Sequence, residues 1–481
     1  MNTNRRAKIV CTLGPATTAS KMIERLVGAG MDVARINFSH GTLEEHVQRI
    51  GGVRRASRIH EKPIAILADL QGPKIRTGTL QGGLAVSLRP GQQFVITTKN
   101  IVGTVEGVST TFQPLPEAVK KGDRILLSDG EIELRVVSKL PRQVICRVEN
   151  GGDLGEHQGI NLPGVKLDIP SLTPKDRKDL RTALGLSVNY IALSFVRSAR
   201  DVHAAKAAIA RAGKDTPLIA KLEKPEAIDN LEEILSAADG VMVARGDLGV
   251  EMNLEKVPVV QKQIISHARN SLVPVITATQ MLDSMTQNPR PTRAEASDVA
   301  NAIFDGSDAL MLSGETAVGR YPIESVEMMD RIIREAESSV TEPLRPARSS
   351  DLHINESIAE AICHAAEDLN MKVIAVFTET GYSARLVSKY RPQPPIVAFS
   401  PSQETRRRIS LFWGVSPFTI GEVKNVDRLA DFAEKRLIEE KLVRRGDVIG
   451  IIAGTPFGAK GTTNMMRLHR VGDRPQIPQH F

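Results

Sequence analysis

The chain reads as an α/β protein: a closed (β/α)8 barrel of the TIM type, interrupted by an inserted small β-barrel domain and followed by a C-terminal α/β domain. Three observations predict this. Eight short apolar runs alternate with helix-like segments, which argues for a parallel sheet, and eight such units are the number that closes a barrel. About 120 residues separate the third run from the fourth, far more than a loop needs, and they carry strand signals of their own. A Pro-, Ser- and Arg-rich stretch, residues 338–350, follows the eighth unit, and further βα units lie beyond it.

The eight runs are Ile9–Leu13, Val33–Phe38, Ile64–Asp69, Tyr190–Phe195, Leu218–Leu222, Gly240–Ala244, Val275–Thr279 and Ala309–Leu312. Amphipathic segments such as Ala16–Ala29, Thr42–Ile59, Pro174–Leu184 and Arg293–Phe304 lie between them. In the long insertion, Val/Ile/Thr-rich runs are divided by turn signals at Arg89-Pro-Gly91, Asp129-Gly130 and Asn150-Gly-Gly-Asp153. Beyond the linker, Val373–Phe377, Ile396–Ser400 and Val448–Ala453 read as strands, with Asn355–Leu369 and Val426–Lys441 as helices. The expected division is 1–70 with 165–345 for the barrel, 71–164 for the inserted lid and 346–481 for the C-terminal domain.

Composition excludes several classes. With 41% hydrophobic and 25% charged residues in 481, this is an ordinary globular chain, and its 4% aromatic content makes the cores aliphatic. No apolar run approaches the ~18 residues needed to span a bilayer. The N-terminus passes directly into a strand-like run, so no secretory leader is expected, and the protein reads as cytoplasmic. Cys11, Cys146 and Cys363 are odd in number, far apart and without metal-ligand spacing, so they are expected as buried reduced thiols. The net charge of +7 is scattered, densest at Arg406-Arg-Arg408 and without interleaved aromatics. That pattern favours small anions over nucleic acid as partners.

The chemistry concentrates between Ala220 and Glu251. Ala220-Lys221-Leu-Glu223 and Met242-Val-Ala-Arg245-Gly246-Asp247-Leu-Gly249-Val-Glu251 each fall at the C-terminal end of an apolar run, the end where barrel active sites form. Glu223 and Asp247 can share a hard divalent cation, and Lys221 can address an anion held by that metal. The same end gathers Arg35, Asn37, Ser39 and His40 from the second strand and Asp69 from the third. The seventh strand adds Thr277 and Thr279, and the eighth adds Ser313 and Glu315. Any one of these is readily a cap or surface residue; their common placement points to a site.

Several of these segments, in order, resemble the pyruvate kinase family. They are Cys11-Thr-Leu-Gly-Pro15, Arg35-Ile-Asn-Phe-Ser-His-Gly41, Asn161-Leu-Pro-Gly164 and Ala220-Lys-Leu-Glu-Lys-Pro-Glu-Ala227. Met242–Glu251, Asn288-Pro-Arg-Pro-Thr-Arg-Ala-Glu295 and Leu312-Ser-Gly-Glu-Thr316 complete the set, which spans essentially the whole chain. The resemblance implies phosphoryl transfer from phosphoenolpyruvate to ADP, giving ATP and pyruvate. It implies Lys221 and Arg35 on the transferring phosphoryl group and Glu223 and Asp247 on Mg2+ or Mn2+. A second metal would travel with ADP. The substrate carboxylate would meet backbone amides after Ala244, those of Arg245, Gly246 and Asp247. Thr279 would sit near the enolate carbon, acting through water, with Ser313 and Glu315 behind it. His40, Arg76 and Asn37 would lie on the nucleotide side.

Two departures stand out. Many members continue the third strand with Asp-Thr and carry Glu four residues later, a pattern that accompanies bound K+; here Asp69-Leu70 is followed by Lys74. A lysine beside Asn37, Ser39 and Asp69 would do the alkali ion's electrostatic work, so K+ is expected to be dispensable. The family's lid lysine before Gly-Ile-Asn-Leu-Pro is Gln158 here, which brings no charge to the nucleotide phosphates. In the C-terminal domain, Thr378-Glu379-Thr380-Gly381-Tyr382-Ser383 joins a strand to a helix and suits a phosphate, with Lys460 on a second loop. The family implies a phosphorylated effector, a sugar phosphate or nucleoside monophosphate, and a homotetramer. A metal-dependent aldolase or lyase of a pyruvate enolate would use the same carboxylates but needs no lid, and a non-catalytic binding homologue would not need Lys221, Glu223, Asp247 and Thr279 together.

Overall fold

The structure, a computed structural model, describes residues 5–165, 167, 169–347, 353–421, 427–455 and 462–473. Eight parallel strands close into a barrel in chain order: Lys8–Leu13, Val33–Asn37, Ala65–Asp69, Tyr190–Leu193, Leu218–Leu222, Gly240–Ala244, Val275–Ala278 and Ala309–Leu312. Ladder bonds pair each with its neighbours, and the last strand returns to the first through Lys8 opposite Ala309. The helices start where the sequence supplies caps. Thr42, Thr173 and Thr292 each accept from the amide three residues on, and Glu45, Asp176 and Glu295 reach back to the cap.

The insertion leaves after the third strand and re-enters before the fourth. Its expected small β-barrel is, in strand pairing, an open six-stranded sheet beside a two-stranded one. The ladder stops at the short strands Gly107–Ser109 and Ile160–Asn161. Among the described residues, isolated bridges such as Thr77 to Thr110 and Leu80 to Gly103 extend its edge. Asn161 donates to the buried Glu251 of the barrel at 3.0 Å, and Glu251 pairs with Lys224 at 2.7 Å, so the lid is tied to the barrel top.

The C-terminal domain is a five-stranded sheet with Val373–Phe377 at its centre. Two edge strands, Val415–Thr419 and Met465–Arg470, join those expected from sequence, the latter antiparallel. This domain closes the bottom of the barrel. Val10, Leu67, Met242 and Met311 inside the barrel belong to one apolar cluster with Leu386, Val387 and Leu411 of the C-terminal domain. Asp308, just before the eighth strand, pairs with Lys389 at 2.8 Å and Arg391 at 2.9 Å, all three buried. Among the described residues no helix is long and apolar enough to cross a membrane, and the three cysteines are free and buried.

Candidate active site

Lys221 is the hub of the barrel's C-terminal face. It is the penultimate residue of the fifth strand and points its ammonium at Glu223 (2.8 Å), Asp69 (3.3 Å) and the Ser194 hydroxyl (2.9 Å). Arg35, from the second strand, forks onto Asp69 through Nε and Nη2, both at 2.8 Å, and donates to Thr12 at 3.0 Å. Asp69 is 1% exposed and Glu223 likewise, so these charges sit out of water. Burial opposes the Asp69 charge, yet Lys221 and Arg35 outweigh it and hold the carboxyl below its ordinary range. Burial also opposes the Lys221 charge, and Asp69, Glu223 and Asp247 together hold its ammonium above the usual lysine range.

Glu223 behaves differently. Burial, joined by the like charge of Asp247, pushes its carboxyl up to about 7 against the pull of Lys221. Three carboxylates (Asp69, Glu223, Asp247) face two cations here, which is the electrostatics of a place that accepts a further cation. Glu223 and Asp247 fit a hard divalent ion. Among the described residues no group of three or more His, Cys, Asp or Glu side chains could hold one, so the remaining ligands would be water and substrate. In this structure the Glu223 oxygens are taken by Lys221 and by the Phe195 amide at 2.8 Å.

The sixth and seventh strands meet over a strained turn. A short helix, Arg245–Glu251, starts directly after Ala244. Its Gly246 amide donates to the Thr279 hydroxyl at 2.7 Å, and that hydroxyl donates to the Ala278 carbonyl at 2.6 Å. Thr279 has φ +70° and Gln280 +52°, and a β-branched residue such as Thr279 adopts that conformation only when its surroundings force it. The forcing groups are visible. Arg245 turns its guanidinium away from the pocket, onto Asp298 at 2.7 Å and the carbonyls of Thr279 and Gln280. Glu315 accepts from the Leu282 and Ser313 amides at 3.0 and 2.7 Å, and burial pushes its carboxyl upward. Ser313 leaves a buried hydroxyl with no partner beside it.

On the lid side, His40 is shifted down by burial and then by Arg76, Lys74, Arg35 and Lys175, so five basic residues share one rim. Arg76 donates to the His157 carbonyl at 2.9 Å, and Asn37 accepts from the Ser39 amide at 3.0 Å. Among the described residues Lys74 forms no ion pair; Asp69 is met by Arg35 and Lys221. The Lys74 stem lies across Gly159 of the lid, its Cε 3.3 Å from where a side chain there would begin. Gln158 is held by backbone bonds to Thr77, with its amide group near Gly155.

The C-terminal loop is built as a tight cap. Thr378 accepts from the Gly381 amide at 2.9 Å, Gly381 takes φ +92°, and Ser383 shares a 2.7 Å hydrogen bond with Thr463. The Glu379 carbonyl accepts from Thr405, and Tyr382 accepts from Asn355. Lys460 lies outside the described residues. The residues that sequence reasoning missed are Ser194, Phe195, Thr12, Asp298 and the Asn161–Glu251–Lys224 anchor. Thr12, Asn161, Lys224 and Glu251 lie in segments that resemble the family, and Ser194 carried a signal of its own, a hydroxyl at the same end of the fourth strand as the other site residues.

Comparison with known proteins agrees with this fold. The family profile described as "Pyruvate kinase, barrel domain" matches residues 4–326, and "Pyruvate kinase, alpha/beta domain" matches residues 356–469. The chain is 47% identical to a pyruvate kinase of Staphylococcus saprophyticus over 98% of its own length and 81% of that protein's. It is 46% identical to one from Staphylococcus aureus over the same shares. A crystal structure of a pyruvate kinase from Cryptosporidium parvum superposes with a TM-score of 0.92 at 36% identity, covering 98% of this chain and 97% of that one. With the eight-stranded barrel, the capping α/β domain and both family profiles in agreement, the chain belongs to the pyruvate kinase family and is a phosphotransferase.

Proposed function

We propose that the chain transfers the phosphoryl group of phosphoenolpyruvate to ADP in glycolysis, using the Lys221–Arg35–Asp69–Glu223 cluster. The observation that carries this is one ammonium and one guanidinium converging, out of water, on the barrel's C-terminal face. A terminal oxygen of ADP attacks phosphorus, the bond from phosphorus to the enol oxygen breaks, and the enolate takes a proton at its methylene carbon. Lys221 and Arg35 face the charge that spreads over the phosphoryl oxygens in transit. Mg2+ or Mn2+ held by Glu223 and Asp247 would supply charge neutralisation and orientation, a second ion arriving with ADP. The amides of Arg245, Gly246 and Asp247 receive the substrate carboxylate, and Thr279 relays the proton through water, backed by Ser313 and Glu315. His40, Arg76 and Asn37 form the nucleotide side beneath the lid.

Lys74 takes the place of K+ beside Asn37, Ser39 and Asp69. Its charge is felt at His40 together with that of Arg35, which supports a fixed cation at this rim. The C-terminal loop Thr378–Ser383, with Lys460, takes a phosphorylated effector, and the working assembly is a cytoplasmic homotetramer. A lactate-dehydrogenase-coupled assay with phosphoenolpyruvate, ADP and Mg2+ tests the reaction; absence of pyruvate formation by folded protein would overturn it. Activity is expected to be full in a Tris buffer free of Na+ and K+. Activity near zero there, restored by KCl, would reject the role of Lys74.

A further inference from the structure

The triple arginine at 406–408 is the densest basic cluster of the chain, and the reaction above makes no use of it. It lies under the barrel, at the end opposite the active site: the Arg408 carbonyl accepts from Tyr190, the first residue of the fourth strand, at 2.8 Å. A cavity of about 570 Å³ opens there between the barrel helix Leu43–Ile59 and the C-terminal-domain helix Gln403–Arg408. Five cationic side chains line it (Arg58, Lys62, Arg406, Arg407, Arg436), together with His60, against the two carboxylates Glu61 and Glu440.

Two of the five cations are already answered. Lys62 pairs with Asp32 at 2.9 Å and Arg436 with Glu440 at 2.6 Å. Among the described residues, no hydrogen bond or ion pair within 4.0 Å engages the guanidinium of Arg58, Arg406 or Arg407, and the Arg406 Nε is buried without a partner. Burial, then the neighbouring charges of Arg406 and Arg58, depress Arg407. Arg54, behind them, falls to about 10 through burial and the Arg407 charge. Like charges brought together from two domains are unfavourable until an anion joins them.

We propose that this seam binds a small phosphorylated anion, at a site separate from the active site and from the Thr378–Ser383 loop. Guanidinium forks match phosphoryl oxygens, and three of them on two domains can grip one group from both sides. Pro63, Pro417 and Phe418 form an apolar wall, which suits the carbon skeleton of a phosphate monoester. A bound anion ties the helix that follows the Arg35 strand to the C-terminal domain.

The test is calorimetric titration of the full chain with inorganic phosphate, pyrophosphate and a hexose monophosphate. Each loses affinity with ionic strength if the arginines hold it. Arg406→Gln/Arg407→Gln is expected to weaken one binding event by about tenfold or more, since a charged hydrogen bond is worth roughly 1.5–3 kcal/mol. Arg58→Gln, at an exposed position on the barrel helix, does the same and carries the test if the double variant does not fold. Ser383→Ala leaves that event intact. Tighter binding of the hexose monophosphate than of pyrophosphate assigns the ligand to the monoesters, and the reverse assigns it to the polyphosphates. Either order supports an anion site. Titrations unchanged in both arginine variants would overturn it. So would an event lost with Ser383 instead, or no binding of any probe to the native chain at millimolar concentration.

Discussion

Replacing Lys221 by methionine keeps the length of the side chain and removes its charge. The ammonium lies 2.8 Å from Glu223 and 3.3 Å from Asp69. At an effective dielectric of about 20, these contacts amount to roughly 6 and 5 kcal/mol of Coulomb attraction before desolvation. A phosphoryl group in transit meets the same ammonium at the same depth, and its charge is more spread than in the ground state. Removing one such donor elsewhere costs between about 10²- and 10⁵-fold in rate. Lys221→Met is therefore expected to lower kcat about 10³-fold, roughly 4 kcal/mol, while KM for phosphoenolpyruvate changes much less. A second readout separates lost charge from lost structure. Lys221 competes for a Glu223 oxygen, so Mn2+ followed by paramagnetic resonance should bind the variant at least as tightly as the native chain. A folded variant with kcat within about tenfold of native would refute the role of the ammonium. Mn2+ affinity falling together with kcat would refute the competition.

Other consequences can be measured independently. Lys74→Glu should make activity dependent on KCl, read by the coupled assay in Tris buffer with and without the salt. Glu251→Gln keeps an acceptor for Asn161 but leaves Lys224 without its carboxylate, so the lid anchor loosens and KM for ADP should rise more than KM for phosphoenolpyruvate. Asp308→Asn strands Lys389 and Arg391, 1% and 7% exposed, and should destabilise by about 3–5 kcal/mol in denaturant titrations. Adding Lys389→Met should recover part of that loss. Burial pushes the Cys146 thiol up to about 12, and Cys11 and Cys363 in the same direction, so at pH 8 their thiolate fractions are negligible. Iodoacetamide should modify none of the three in native protein and all three in urea, as read by mass spectrometry.

The barrel was legible because its strands are continuous apolar runs between helices. Leu218–Leu222, Gly240–Ala244 and Ala309–Leu312 form over the residues that the pattern predicts. The misreadings cluster where chemistry begins. Phe195 and Thr279 have the aromatic and β-branched character of strand residues, and the pattern extends the fourth and seventh strands through them. In the structure both leave the sheet at positive φ, +56° and +70°, because Glu223 takes the Phe195 amide and Thr279 caps Gly246. Propensity describes the ladder, and the site overrides it. Edge strands were hidden for another reason. Val415–Thr419 carries Pro417, and Met465–Arg470 carries Arg467 and Arg470, features an edge tolerates and an apolar pattern does not reveal. Arg245 could be placed near the site from its motif, but the direction of its guanidinium depends on Asp298, more than fifty residues away.

The same contacts explain how the polar site holds its shape inside the barrel. Three groups assigned to the reaction are already engaged: Lys221 by two carboxylates, Arg35 by Asp69, the Gly246 amide by Thr279. Unpaired, such buried groups would cost several kcal/mol apiece, so the closed network is what keeps a polar cluster stable inside the barrel. Binding must then proceed by exchange. On the proposed reaction, a divalent ion held by Glu223 and Asp247 would supply charge neutralisation there and leave Lys221 free to face the phosphoryl group. A substrate carboxylate at the Gly246 amide would leave the Thr279 hydroxyl free to face water. Thr279 is held in place from behind, where Arg245 grips its carbonyl and Glu315 fixes the turn that follows. In that reaction, the side chains that touch substrate are the ones that exchange partners, and the Arg245 guanidinium, Asp298 and Glu315 are the frame behind them.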